Sequence, residues 1–291
     1  MRWIEHCLGS LRDSTVPVVP VVVDNGSKDD TVAYIRSHFP EVVLFCQTKN
    51  LGFGQGNNFG IRYAMQEGAD YVLLLNQDAW IDADMLQKIL PYDDGKVLLS
   101  PVHLNGAHTA IDRNFLKNAV NRSGYKDLLS ADALLAHAEG LHPAREICAA
   151  CWLMSRSVIE HIGGFNPLFF HYDEDNNYQH RLRYHGYKLA WVGGCYVCHD
   201  REFRDDSPIK YYRLRQDLIL CSTNINHSRL KGFLLQMRYG LATIHESFLR
   251  RDYTFTGFRY FLKAAFDLAT HNFGAVARSR SAERKLQPNW L

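Results

Sequence analysis

Along the first two-thirds of the chain, short apolar runs alternate with stretches of helical spacing. VVPVVVD (18–24), VVLF (42–45) and YVLLL (71–75) read as strands, and the segments around 28–38 and 56–66 between them read as helices. These strands are apolar on both faces, which predicts a mostly parallel sheet flanked by helices. An opening helix carries Trp3, Ile4, Cys7, Leu8 and Leu11 on one face. After about residue 100 the pattern weakens, and 103–145 reads as irregular polar connection with short helices. Order resumes with an apolar run at 147–154, a helix over about 175–185 stopped by Gly186, and a strand at 188–192. From 228 onward the chain turns helical: Leu230, Phe233, Leu234, Met237, Leu241, Ile244 and Phe248 form one apolar stripe, and Phe258, Phe261, Leu262, Ala265 and Ala269 a second. The expected organisation is an α/β domain over 1–227 and a helical appendage over 228–291.

Composition narrows the class. With 46% hydrophobic and 22% charged residues in 291, the chain can bury a sizeable core. No apolar run approaches the roughly 18 residues of a membrane span, and the start MRWIEHCLGSLRDS is too polar for a signal peptide, so a cytoplasmic location is expected. Seven scattered cysteines fit reduced thiols. The pairs Cys148/Cys151 and Cys195/Cys198 have a zinc-like spacing, but both sit in or beside strands, where residues three apart point to opposite faces, and core thiols are expected instead. Net charge is +2, yet residues 228–291 hold 11 Lys/Arg against 4 Asp/Glu, a local +7, leaving −5 for the rest. Basic charge beside two apolar stripes predicts an anionic membrane surface as partner of the tail, and no nucleic acid.

Ligand-binding residues of such sheets gather at the carboxyl ends of strands, where Asp24-Asn25-Gly26-Ser27 and Asn76-Gln77-Asp78 both fall. Asp, Asn and Ser at a strand end also serve as turn and capping groups. In KNLGFGQGNNFGIRYA the clustered glycines let backbone approach a ligand, although the segment is neither a P-loop nor a GxGxxG fingerprint. YVLLLNQDAWIDADML then delivers Asp78 at the end of a buried strand, with a helix expected from Asp82.

In this order and spacing the three segments closely resemble glycosyltransferase family 2, with its DNGS-type turn, NxGxGxxNxG-type segment and Asp-x-Asp or Asn-x-Asp motif. The resemblance implies a GT-A fold and inverting transfer of a sugar from a nucleoside-diphosphate donor, a dTDP- or UDP-sugar, to a glycan or lipid-linked acceptor, as in bacterial rhamnosyl- and hexosyltransferases of surface polysaccharide assembly. It implies that Asp24 reads the base, that Asn50 and Asn58 lie near the donor, and that Asp78 holds a divalent cation, Mg or Mn, against the diphosphate. Asn76 replaces the first motif carboxylate, so metal binding without nucleotide is expected to be weaker. A fourth segment, GGFNPLFFHYDEDNNYQHRLRYHGYKLAWVGG, resembles the family stretch that makes Asp175 the general base and sets Glu174 beside it against acceptor or sugar. The run Asp173 to Asp175 repels itself, which raises a pKa under partial burial; as a structural feature alone it is an acidic first helical turn favoured by the dipole. Asn177 stands where the family carries a second Asp, His199 falls beside the metal and diphosphate, and Arg215-Gln216 replaces a family Arg-Asn. The family's first apolar strand has no counterpart, since the sequence opens with the helix that follows it. Two other classes are a nucleotide-sugar-binding module without turnover, and a nucleotidyltransferase, whose basic triphosphate loop is not found.

Overall fold

A computed structural model describes residues 1–124, 138–201, 210–249, 254–287 and 289–291. Helix α1 (Ile4–Arg12) leads to β1 (Val21–Asp24), α2 (Thr31–His38), β2 (Val43–Cys46), α3 (Phe53–Gln66) and β3 (Tyr71–Leu75). Strand β1 pairs with β2 in parallel, Val21 opposite Val43, and these two form a sheet of their own. Past β3, the helix expected from Asp82 is delayed: Ala79–Ile81 becomes β4, and α4 (Met85–Ile89) begins after Asp84. A long strand the pattern did not single out, β5 (Val97–Asn105), runs into the start of the region expected to be irregular, 103–145, which also holds a short helical stretch over 113–123 and β6 (Gly140–Pro143). Then follow β7 (Cys151–Ser155), α5 (Arg156–Ile162), α6 (Glu174–Tyr184) and β8 (Lys188–His199).

The larger sheet runs β3-β7-β5-β8-β4, with β6 added against β8. It is mixed, which corrects the mostly parallel expectation: β5 and β8 are parallel, whereas β7 is antiparallel to β3 and β5, and β4 and β6 are antiparallel to β8. Apolar strands report that both faces are covered; they do not report direction. Strand β8 outlasts its expected end at 192 because Gly193 to Cys195 bulge out of register, Pro101 facing Val192 and Val102 facing Tyr196. Gly194 takes φ +79° there, and the strand resumes to deliver His199 at its end.

Alternation along β5, β7 and β8 feeds a core on each face. Leu98, Val102, Leu104, Trp152, Met154 and Trp191 pack on one side, and Val97, Leu99, Cys151, Leu153, Ala190 and Val192 on the other. Each fully buried large side chain contributes roughly 1.5–3 kcal/mol relative to exposure. All seven cysteines are free thiols.

The carboxyl-terminal part is helical, as expected: α7 (Lys210–Thr223), α8 (Arg229–Leu249), α9 (Thr254–Asp267) and α10 (Phe273–Lys285). Its last helix is tied into the α/β part by buried polar contacts. The buried Glu283 carboxylate accepts hydrogen bonds from Asn166 Nδ2 (2.7 Å) and Asn177 Nδ2 (2.8 Å), and Arg280 donates to the carbonyls of Ser222, Asn224 and His227. Leu230, Phe233, Leu234 and Leu241 of the first stripe stay exposed. The side chains of Ile244 and Phe248 lie outside the described residues. No helix among the described residues is long and apolar enough to cross a membrane.

Candidate active site

The carboxyl ends of β1 and β3 open into one cleft of about 2380 Å³, lined by Asp24, Asn25, Asn50, Asn76, Asp78 and His199 among others. Its walls are tied together by short polar contacts. Asn25 accepts from Leu51 N–H (3.2 Å) and donates to Gly52 O (3.4 Å), and Asn50 Oδ1 accepts from Gly52 N–H (2.7 Å), so the glycine segment folds back onto the end of β1. Gly52 has φ +79°, and a Cβ there would stand 2.1 Å from Phe170 O. Only glycine fits, and the close approach pins the Phe170–Tyr172 segment as the far wall of the cleft.

Several expected donor residues are committed to the protein's own backbone. The Asp24 carboxylate accepts from Gly26 N–H (3.1 Å) and Ser27 N–H (3.1 Å), which shapes the turn. Asn58 departs from its expected place near the donor: it is buried, pairs through both amide atoms with the backbone of Phe165 (2.6 and 2.8 Å), and is absent from the cleft wall, where its neighbour Asn57 stands. Arg215 does not line the cleft either. Arg213, one helical half-turn earlier, does, with its guanidinium 4.6 Å from the centroid of the Tyr172 ring.

Asp78 Oδ1 lies 3.4 Å from His199 Nε2. Antiparallel pairing of β4 with β8 sets Ala79 opposite His199 and so brings together residues 121 positions apart. Burial raises the Asp78 pKa, but the His199 hydrogen bond and charge, with Arg201 behind them, outweigh it and hold the carboxyl below its usual range. For His199 burial acts downward, and Asp78 and Cys148 carry the net shift upward. Arg201 is itself anchored on Asp112 (2.9 Å) and contacts Cys148 Sγ (3.1 Å). A carboxylate oxygen beside an imidazole nitrogen in the lining of an open cleft is a donor set that fits a divalent cation such as Mn or Mg. The four cysteines of the CxxC pairs do not converge; instead ligand atoms of His103, Cys148 and His199 come within 4.8 Å of one another.

The second acidic centre is the head of α6. The chain enters it through Tyr172 (φ +71°) and Asp173 (φ +67°), two side-chain-bearing residues in the left-handed region, a conformation that costs about 1–3 kcal/mol each and gathers at functional sites. Burial pushes the Glu174 carboxyl up to about 8, with Asp175 adding to it, and one of its oxygens has no hydrogen-bond partner among the described residues. Asp175 rises to about 6 through burial and the Asp173 charge, against the opposing N–H groups of Asn176 (2.8 Å) and Ala149. Asp173 rises to about 7 through burial and the neighbouring Asp217, a carboxyl from α7 that the sequence pattern did not single out. Asn177, where a second carboxylate was expected, instead binds Glu283. Neither Glu174 nor Asp175 lines the cleft; the Phe170–Tyr172 wall does.

The profile of glycosyl transferase family 2 matches residues 2–163. A low-salt glycan biosynthesis hexosyltransferase of Haloferax volcanii is 28% identical over 166 residues, covering 56% of this chain and 52% of the relative, so this chain spans about half the length of that protein. An N-acetylglucosaminyl-diphospho-decaprenol L-rhamnosyltransferase of Mycobacterium tuberculosis is 24% identical over 228 residues, covering 68% of this chain and 72% of the relative. Among solved structures, a mannosyltransferase of Pyrobaculum calidifontis in complex with GDP-Man and Mn2+ superposes with a TM-score of 0.56 at 16% identity, covering 99% of this chain and 78% of that one. At that identity the likeness speaks to the fold, which is that of the GT-A sugar transferases.

Proposed function

The chain belongs to glycosyl transferase family 2, and from that premise we propose that it moves a sugar from a nucleoside-diphosphate donor to an acceptor hydroxyl with inversion at the anomeric carbon. The observation that carries this reading is the convergence of the ends of β1 and β3 with Asp78 and His199 on one cleft. In it the Asn25–Gly52 contacts hold the wall against which the nucleoside lies, and Arg213 offers charge to the phosphates. Asp78 and His199 would hold a divalent cation, which when bound neutralises charge on the departing diphosphate as a Lewis acid. The acceptor oxygen forms the new bond to the anomeric carbon as the bond to diphosphate breaks, and its proton passes to Asp175, whose raised pKa suits a general base near neutral pH. Nucleoside diphosphate release from a panel of dTDP-, UDP- and GDP-sugars, with Mg or Mn and a hydroxyl acceptor, tests the reading; no release with any donor would overturn it.

The activities of the two relatives, glycan biosynthesis and rhamnosyl transfer to a diphospho-decaprenol acceptor, support a role in glycan assembly with a lipid-linked or glycan acceptor. Peripheral attachment to an anionic cytoplasmic membrane face accords with the exposed Leu230, Phe233, Leu234 and Leu241 on α8 and with a basic hollow formed by Arg229, Arg280, Arg284 and Lys285. The absence of Asp175 from the cleft lining favours a second reading, a module that binds nucleotide sugar without turnover.

A further inference from the structure

The CxxC spacings do not form a site, yet one of their cysteines meets two histidines. His103 on β5, Cys148 ahead of β7 and His199 at the end of β8 bring their ligand atoms within 4.8 Å of one another. Strand pairing makes this convergence: β5 and β8 run parallel with Asn105 opposite His199, and β7 joins β5 at Leu99. His103 is fully buried, His199 is 5% exposed and Cys148 is half-buried. Imidazoles kept out of water need partners for both ring nitrogens, because an unpaired polar atom loses its hydration without return.

For one nitrogen of each ring the partner is present. Ser100 Oγ donates to Pro101 O (3.0 Å), so it accepts from His103 Nε2 at 3.0 Å. His199 Nε2 faces the Asp78 carboxylate at 3.4 Å, and a carboxylate can only accept from it. In both neutral rings the proton is thereby set on Nε2 and the lone pair on Nδ1. His103 Nδ1 lies 3.7 Å from Cys148 Sγ, and His199 Nδ1 is buried with no hydrogen-bond partner among the described residues. A ring held through one nitrogen by a hydroxyl or carboxylate, with the other nitrogen left bare, is arranged as a metal-bound histidine is.

We propose that His103 Nδ1, Cys148 Sγ and His199 Nδ1 form a zinc site beside the donor cleft, separate from the cation assigned to Asp78. Two imidazoles and a thiolate select a borderline ion of the zinc type over Mg or Mn, which favour oxygen. Ligand atoms on one tetrahedral zinc stand roughly 3.3–3.6 Å apart, so these three close by at most about 1.5 Å. The thiol proton leaves to solvent as the sulfur takes the metal. Charge is matched as well: the ion and the Arg201 guanidinium, 3.1 Å from Cys148 Sγ, face the thiolate, Asp78 and the Asp112 carboxylate that holds Arg201 at 2.9 Å. The fourth position of a four-coordinate ion is left to a water. Filled, the site locks the His199 ring and with it the Asp78 carboxylate that its Nε2–H holds. The donor's cation then falls to Asp78, and His199 serves it through that hydrogen bond and not as a ligand. Only this consequence rests on the cleft being the donor site; the zinc site itself does not.

The chelator-stripped full chain, without nucleotide, is loaded with zinc, and in parallel with cobalt(II) as a coloured substitute. About one zinc ion per chain is expected to be retained, and cobalt is expected to give a thiolate charge-transfer band with the intense visible bands of a four-coordinate ion. Cys148→Ser should remove the thiolate band and weaken zinc binding at least about a hundredfold. Asp78→Ala should keep the band, so that failure of the donor reading and failure of the zinc site are read separately. In the unaltered chain zinc should also shield Cys148 from alkylation, followed by mass spectrometry, while the exposed Cys46 reacts as before; this arm depends on no variant folding. Cobalt without a thiolate band, a band that survives Cys148→Ser, or alkylation of Cys148 unchanged by zinc would overturn the site and leave Cys148 a thiol held by Arg201. A band lost in Asp78→Ala would merge the two cations and overturn their separation.

Discussion

Asp78 and the carboxyls at the head of α6 are the same chemical group placed in opposite electrostatic surroundings. Both centres are largely buried, and burial alone raises the pKa of either. At Asp78 the sheet supplies compensation, because β8 brings His199 and then Arg201 to the carboxyl, which stays ionised. At α6 Asp173, Glu174 and Asp175 meet each other and Asp217, and they hold protons to about 7, 8 and 6. On the proposed function one centre would hold a cation and the other exchange a proton, so variants at the two should separate binding from chemistry.

The largest expected effect is at Asp78. Asp78→Ala should abolish cation-dependent binding of nucleoside diphosphate in calorimetry, since Asn76 offers only a neutral oxygen; unchanged affinity would remove Asp78 from the cation site. Next is Asp175→Asn, which keeps shape but cannot take a proton. It should leave nucleoside diphosphate binding near wild type and lower the transfer rate at least about a hundredfold. A role limited to the helix dipole would instead cost about 0.3–1 kcal/mol of stability with turnover intact. Normal transfer at 175 beside a dead Glu174→Gln variant would move the base to Glu174 and redraw the comparison.

A smaller effect is expected in stability against pH. Glu174 rises from an ordinary 4.5 to about 8 on folding, so the folded state holds the extra proton between those values. Its contribution is present in full below about 4.5 and is lost as pH climbs through 8. Glu174→Gln should therefore match the wild-type Tm near pH 5 and exceed it increasingly toward pH 8.5 in a thermal melt series. A constant Tm difference across that range would show that the Glu174 proton plays no part. The smallest effect concerns the tail: cosedimentation with anionic vesicles at low salt should exceed that with neutral vesicles and fall for Leu234→Ser and Leu241→Ser, whereas equal pelleting would sink the electrostatic attachment.

The sequence by itself determined the α/β layering, most strands and helices of the first two-thirds, and the two strand ends at which the cleft opens. Those features are local, because hydrophobic period and turn chemistry act over a few residues. Strand direction was not legible, since an apolar run looks the same in parallel and antiparallel neighbours, and β5 was hidden in a stretch whose polar residues, Ser100 and His103, bond to each other inside the core. Only the tertiary structure decided which polar residues face the cleft. Asn58 looked like a donor contact and turned out to brace Phe165, while Arg201, Arg213 and Asp217 acquired their places through contacts with elements far along the chain. The same holds for the proton-holding cluster: three adjacent acids announce repulsion in any sequence, but burial and the Asp217 carboxyl brought by α7 set where their pKa values fall, and those are properties of packing across the fold.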